Sequence, residues 1–166
     1  MSNLPFIQPK KEIYLNLCVI LIIINHLANT PKGKRNLTFE RLQNFYFLVN
    51  NPIILNKVIL LADRKEIDVK ESYFYKVDSI SLDVDDLYDK NKMKTLIQII
   101  SLQGYISIEI SPEGSFVFYL SDKGVSLVSS LDSEYFKEIN QLVEALLFLR
   151  SQSIGKIVGF IRNAIR

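Results

Sequence analysis

Residues 91–131 read NKMKTLIQIISLQGYISIEISPEGSFVFYLSDKGVSLVSSL, and this stretch decides the fold. Apolar residues recur at helical spacing between Asn91, a capping residue, and Gly104, which predicts a helix that ends at Gln103. Alternating polarity in 105–110 and 116–120, on either side of a Pro-Glu-Gly loop, predicts a β-hairpin. Ser121 then opens another helix to about Leu131. The side chains expected to share a face in each element are Met93, Leu96, Ile97 and Ile100 in the helix, Ile106, Ile108 and Ile110 in the first strand, and Phe116, Phe118 and Leu120 in the second.

The flanking sequence adds helices on both sides. A long, very apolar helix is predicted over 11–29, a second over 39–50 behind a Thr38 cap, and a third from Pro52 to about Ala62. Two more helices fill the tail, the first capped by Ser133. We therefore expect a mostly α protein with a small β-hairpin (α+β), with a winged-helix core, in one domain spanning 1–166. Its parts are the N-terminal helices (11–62), an irregular acidic segment (63–90), the helix-hairpin-helix unit (91–131) and a C-terminal helical pair (132–166).

Composition excludes several classes of protein. The chain has 166 residues, of which 48% are apolar and 23% charged, so intrinsic disorder is excluded. One cysteine, one histidine and six glycines are too few for a zinc cluster, a disulfide framework or most Gly-rich phosphate loops. We accordingly expect no metal, no cofactor and no catalytic residue.

Individual motifs point the same way. Gly33-Lys34 is followed by Arg35 where a phosphate-binding loop needs Ser or Thr, so the chain is not expected to be an ATPase. The aspartates between 83 and 89 lack the third ligand and the glycine of a calcium loop. We interpret His26 as a hydrogen-bonded structural histidine and Cys18 as a small buried apolar residue.

Charge is unevenly distributed. Residues 78–89 carry a local charge of −5, residues 150–166 carry +4, and residues 31–41 carry +3. The predicted reading helix is weakly basic and the hairpin tip carries Glu113, so only weak DNA contact without sequence preference is expected. The candidate phosphate contacts are Lys32, Lys34, Arg35, Lys92, Lys94, Arg162 and Arg166, and the candidate partner-docking residues are Asp83, Asp85, Asp86, Ile154, Val158 and Ile161.

The apolar run from Leu17 to Ile24 is eight residues long. A membrane span needs about 20 apolar residues, so we expect a buried helix, no membrane association and a cytoplasmic protein.

The order of elements resembles the small middle component of bacterial ABC three-component systems, including the small subunit of Lamassu-type defence operons. The similarity runs from about residue 12 to 165. It rests on the apolar first helix and on framework positions rather than on a catalytic motif. These positions are Leu37, Arg41-Leu42, Phe47-Leu48 and Asn51-Pro52, then Asp89-Lys90-Asn91-Lys92 ahead of Leu96, Gly104-Tyr105-Ile106, and Tyr119-Leu120-Ser121 with Gly124.

The resemblance implies a non-enzymatic accessory subunit of an anti-phage or anti-plasmid defence complex. Such a winged-helix subunit would bind an SMC-like ATPase near its head or neck and help couple DNA sensing to an effector, often a nuclease. The sequence leaves an alternative open: a stand-alone winged-helix DNA-binding transcriptional regulator whose C-terminal helices form a homodimer interface.

Overall fold

The computed structural model describes residues 12–68 and 89–166. Within these residues the chain is mostly helical with one two-stranded antiparallel sheet, which confirms the expected α+β class. The elements in chain order are α1 (Ile13–Leu27), α2 (Phe39–Asn50), α3 (Pro52–Leu61), α4 (Lys90–Leu102), β1 (Ile106–Ile110), β2 (Phe116–Leu120), α5 (Asp122–Ser129), α6 (Glu134–Glu144), a short 3-10 turn (Leu147–Leu149) and α7 (Ile154–Ile165).

Helix α1 is the centre of the core. Its residues from Val19 to Ile24 are all almost completely buried, because α2, α4, α5, α6 and β2 surround it. Helix α7 instead packs on α3 and α2. The central apolar helix predicted from the sequence is confirmed, although it runs from Ile13 to Leu27 and not from 11 to 29.

Side-chain caps fix where most helices begin. Thr38, Ser121 and Ser133 each accept a hydrogen bond from a backbone N–H in the first turn of the following helix, as predicted. The cap of α4 was predicted wrongly: Asp89 accepts from the backbone N–H of Lys92, so the helix begins at Lys90, ahead of Asn91. Aspartate and asparagine are equally good caps, so composition alone does not choose between them.

The turn after α4 brings the chain directly into the hairpin. Gly104 has φ +75°, a left-handed conformation that favours glycine, and Tyr105 N–H then donates to the carbonyl of Ile100. β1 and β2 pair one-to-one from Ile106 opposite Leu120 to Ile110 opposite Phe116. A third segment joins this sheet, because Phe118 N–H donates to the carbonyl of Leu37 over 3.0 Å.

Two further details differ from expectation. Helix α6 ends at Glu144, so Leu146 and Leu147 belong to the turn that follows and not to one continuous helical stripe. Cys18 is only partly buried. Residues 63–68 have no regular secondary structure, in keeping with the irregular segment predicted there, and the rest of that segment up to residue 88 lies outside the described residues.

Candidate protein-binding surfaces

The hairpin has one apolar face that leaves the core and continues into solvent. Ile106 at its base and Phe118, directly opposite Ile108, are buried. Farther out on the same face, Ile108, Ile110 and Phe116 are 45%, 68% and 63% exposed. We call these three exposed residues the wing patch. The side chains alternate between the two faces as predicted, but burial does not follow the alternation in β2, where Phe116 is exposed and Val117, on the opposite face, is 1% exposed. Contiguous exposed apolar side chains of this kind are typical of an interaction site.

The opposite face of the hairpin is held by the turn after α1. Arg35 forms an ion pair with Glu109, and its guanidinium carbon lies 3.5 Å from the centre of the Tyr119 ring. Lys34 Nζ donates to Glu113 Oε1 at 2.5 Å, and this hydrogen bond lowers the pKa of the Glu113 carboxyl. Two of the predicted phosphate contacts, Lys34 and Arg35, are thus engaged by carboxylates of the hairpin. Both pairs join residues far apart in the sequence, so no local pattern could reveal them.

The remaining predicted cations differ in their exposure to solvent. Lys32 is exposed in the turn before Lys34, and Lys94 is exposed on α4, whereas Lys92 is partly buried. Arg166 is exposed at the end of the chain. Their role as phosphate contacts stays a prediction.

A groove of about 320 Å³ separates α2, the start of α4 and α7. It brings three predicted site residues together, with Val158 on one wall, Arg162 at the rim and Ile161 beneath. Ile161 is only 1% exposed, because it packs in the core as well as lining the groove, and its docking role stays a prediction. The full lining is Phe39, Glu40, Gln43, Asn44, Lys90, Val158, Ile161, Arg162 and Ile165.

Sequence reasoning missed the most unusual residue of this groove. Gln43 is 5% exposed, and its Nε2 has no hydrogen-bond partner. An unsatisfied buried amide is costly. Its sequence signal is weak, because the next residue, Asn44, is also polar and buried, and residues 42–49 of α2 are all buried.

Ile154, predicted as a docking residue, is partly buried at the start of α7 and does not line the groove. Asp83, Asp85 and Asp86 lie outside the described residues.

His26 and Cys18, the side chains with reactive chemistry, lie in packed surroundings. His26 Nε2 lies 2.9 Å from Asn140 Oδ1, which links α1 to α6. Burial raises the pKa of the Cys18 thiol, so the thiolate is disfavoured. In residues 12–68 and 89–166, no three side chains among His, Cys, Asp and Glu are grouped to hold a metal ion.

Across the same ranges, no single helix combines the length and apolarity needed to cross a membrane. Helices α2 and α3 meet those criteria only when taken together, and they are bent by 111° at Asn51.

A family model described as "ABC-three component (ABC-3C) system Middle Component 4" matches residues 27–159. The match covers most of the chain, from the end of α1 to the middle of α7. The chain belongs to this family. No curated protein and no solved structure matches it significantly. As a middle component it is an accessory part of a system of three components, and that position implies contact with the other components. The expected resemblance to middle components is thereby confirmed at the level of the family.

Proposed function

We propose that this middle component is a non-catalytic docking subunit with a winged-helix fold. It binds an SMC-like ATPase and an effector in a Lamassu-type defence complex against phage or plasmids, and helps couple DNA sensing to effector activation. The wing patch carries the proposal, because it is an apolar surface on the element that would otherwise contact DNA.

The order of elements supports a winged helix. After α1, Leu37 and Thr38 form a short strand segment that pairs with β2 through Phe118 and Val117. Helices α2, α3 and α4 follow, and α4 leads through a tight turn into the β1–β2 hairpin, which is the wing. Helices, a three-segment sheet and a projecting hairpin are the parts of that fold.

The charge and the exposed side chains of the wing favour a protein partner over DNA. A phosphate-binding wing needs exposed Lys or Arg, since neutralising phosphates supplies most non-specific affinity. Here the tip carries Glu113, and the nearest cations, Lys34 and Arg35, are paired with hairpin carboxylates. The exposed aromatic ring of Phe116 is instead the type of side chain that anchors protein interfaces. Any DNA contact through Lys32, Lys94, Arg162 or Arg166 would be weak and without sequence preference.

The ATPase partner follows from the family resemblance and fits the sequence. Gly33-Lys34 is followed by Arg35, whereas a phosphate-binding loop needs Ser or Thr at that position to hold Mg²⁺. ATP hydrolysis in such a system would therefore come from another component, with this chain contributing binding surfaces alone.

Co-expression of the three components with an affinity tag on this chain tests the proposal. The unmodified chain should retain the ATPase and effector components through purification. Phe116→Ala should reduce their recovery at least about tenfold, because truncated aromatic anchors cost about 2 kcal/mol or more. Leu102→Ala is the matched control, since Leu102 is a large apolar residue, 89% exposed and outside the wing patch. Elution of a homodimer alone that protects a palindromic operator would refute the proposal.

A further inference from the structure

Among residues 12–68 and 89–166, no strand pairs with the outer hydrogen-bonding edge of β1. Ser111 N–H donates to the Ser115 carbonyl and Ser121 N–H donates to the Tyr105 carbonyl, at the two ends of the ladder. With the one-to-one register between them, the odd-numbered residues of β1 form the hydrogen-bonded pairs of this antiparallel ladder. The backbone N–H and C=O groups of Ile108 and Ile110 therefore point away from β2.

The other edge of the hairpin is already occupied. The even-numbered residues of β2 face outward in the same way, and there Phe118 N–H donates to the carbonyl of Leu37. This hydrogen bond is independent evidence that the even-numbered residues of the hairpin point their backbone groups outward. Within the described residues, the sheet order is thus the Leu37–Thr38 segment, β2 and then β1, with β1 outermost.

Nothing in β1 protects that edge against pairing with another strand. Soluble proteins shield exposed edges with lysine, proline or a β-bulge. β1 reads Ile-Ser-Ile-Glu-Ile, without lysine or proline, and its register with β2 contains no bulge. Its one charge, Glu109, lies on the opposite face in the ion pair with Arg35. The open edge and the wing patch coincide, since Ile108 and Ile110 contribute to both.

We propose that β1 accepts one extended strand from another component of the system, by β-strand addition. The open donors and acceptors of Ile108 and Ile110 specify a strand rather than a helix as the occupant. The added strand carries apolar residues at every second position, which lie beside Ile108 and Ile110 as cross-strand neighbours. Its intervening residues are polar, beside Ser107 and Glu109. This inference rests on the proposed function, because the strand belongs to a partner component.

A second copy of this chain is a less suitable occupant. Antiparallel pairing of two β1 strands around Ile108 would place the two wing patches side by side on one larger sheet. The exposed apolar area on that face would then double, with Phe116 of each copy still uncovered. A strand from a different protein can continue into structure that covers the patch.

Two substitutions at one position separate the backbone from the side chain. Ile110→Pro removes an N–H that β2 does not use, so the hairpin keeps its ladder. Ile110→Thr keeps that N–H and a β-branched side chain, and it is the matched control. Purified ATPase and effector components are each titrated against the immobilised chain. For the component that binds, the Thr variant should weaken binding only through the loss of one wing-patch side chain, and the Pro variant should have a dissociation constant at least about tenfold higher than that of the Thr variant. Equal weakening by both variants would overturn strand addition.

Amide hydrogen exchange in the unmodified chain gives a second readout that needs no variant. The amides of Ser107 and Glu109 should be protected in the free chain, whereas those of Ile108 and Ile110 should exchange fast and become protected only in the complex. Fast exchange of Ile108 and Ile110 in a formed complex would overturn the inference while leaving the proposed function intact. Protection of the same amides at high concentration without a partner would assign the edge to a second copy and also overturn it. If neither component binds the unmodified chain, the proposed function itself fails.

Discussion

Replacing Gly124 with alanine should destabilise the junction between α5 and the wing. The start of α5 is tied to the base of the hairpin, because Ser121 N–H donates to the Tyr105 carbonyl over 3.1 Å. Ser121 Oγ also donates to the Gly104 carbonyl, at 2.6 Å. An alanine Cβ at position 124 would lie 2.1 Å from that Tyr105 oxygen and 3.3 Å from Leu120 Cδ2. The oxygen cannot easily move away, since it accepts the Ser121 hydrogen bond.

The size of the effect follows from two opposing contributions. Overpacking a tight contact costs about 1–3 kcal/mol, and a clash with backbone lies at the upper end. Alanine recovers up to about 1 kcal/mol over glycine in a helix. The free energy of unfolding should therefore fall by about 2 kcal/mol, which corresponds to a decrease in Tm of about 4–8 °C for a chain of this size.

Gly159→Ala is the matched control. Gly159 lies in the middle of α7, and an added Cβ there would meet nothing within 4 Å. Its free energy of unfolding should rise by about 0.5–1 kcal/mol. Both variants are measured by urea denaturation and by thermal melting, each followed by circular dichroism. Equal stabilisation by the two substitutions would refute the tight α5–wing junction.

Three other substitutions test the contacts described above. Arg41 donates hydrogen bonds to two backbone carbonyls in the turn before α7. Arg41→Lys should therefore lower the free energy of unfolding, measured by urea denaturation, by about 2 kcal/mol. An unchanged urea midpoint would contradict this bridging role. An NMR titration should give the Glu113 carboxyl a pKa below its usual value of about 4.5. In Lys34→Met that pKa should rise back toward the usual value. Because the pKa of Glu113 is lower in the folded state, the stability contributed by this ion pair is present at pH values above the usual pKa and is lost as the pH falls through the folded-state pKa. An identical Glu113 titration in the unmodified chain and in Lys34→Met would exclude the pair. Gln43→Met removes an unsatisfied buried amide and should raise the free energy of unfolding by about 1 kcal/mol, whereas a loss of stability would show that the amide has a partner.

The helices and the hairpin were predictable because their signals are local. Thr38, Ser121 and Ser133 cap the helices that follow them, and each bond spans no more than three residues. The α4 cap shows the limit of such signals, since Asp89 and Asn91 compete and the choice depends on how α4 packs.

The surface of the wing was only half predictable. Alternation placed Ile108 and Ile110 on one face with Ile106, but it cannot say where the body of the protein ends and solvent begins. The pairing of Arg35 with Glu109 is likewise set by the fold, because a turn after α1 and a strand after α4 meet only once the chain is packed. Lysine and arginine in a basic turn therefore resembled phosphate contacts in the sequence.

The groove was the least predictable surface. Val158 and Arg162 could be assigned to a helix, but their meeting with Gln43 and Lys90 depends on the packing of α7 across α2. Tertiary arrangement, and not local sequence, creates that set of residues.

The most direct test of a protein-binding wing compares two dissociation constants for this chain over a range of salt concentrations. One is for the ATPase proposed above as its partner, and the other is for a duplex DNA of about 30 base pairs. We expect the ATPase component to bind with a dissociation constant that changes little between about 0.05 and 0.2 M salt, and DNA binding to be weak and to vanish over that range. Tight DNA binding that persists at the higher salt, together with no binding of the ATPase component, would contradict the assignment.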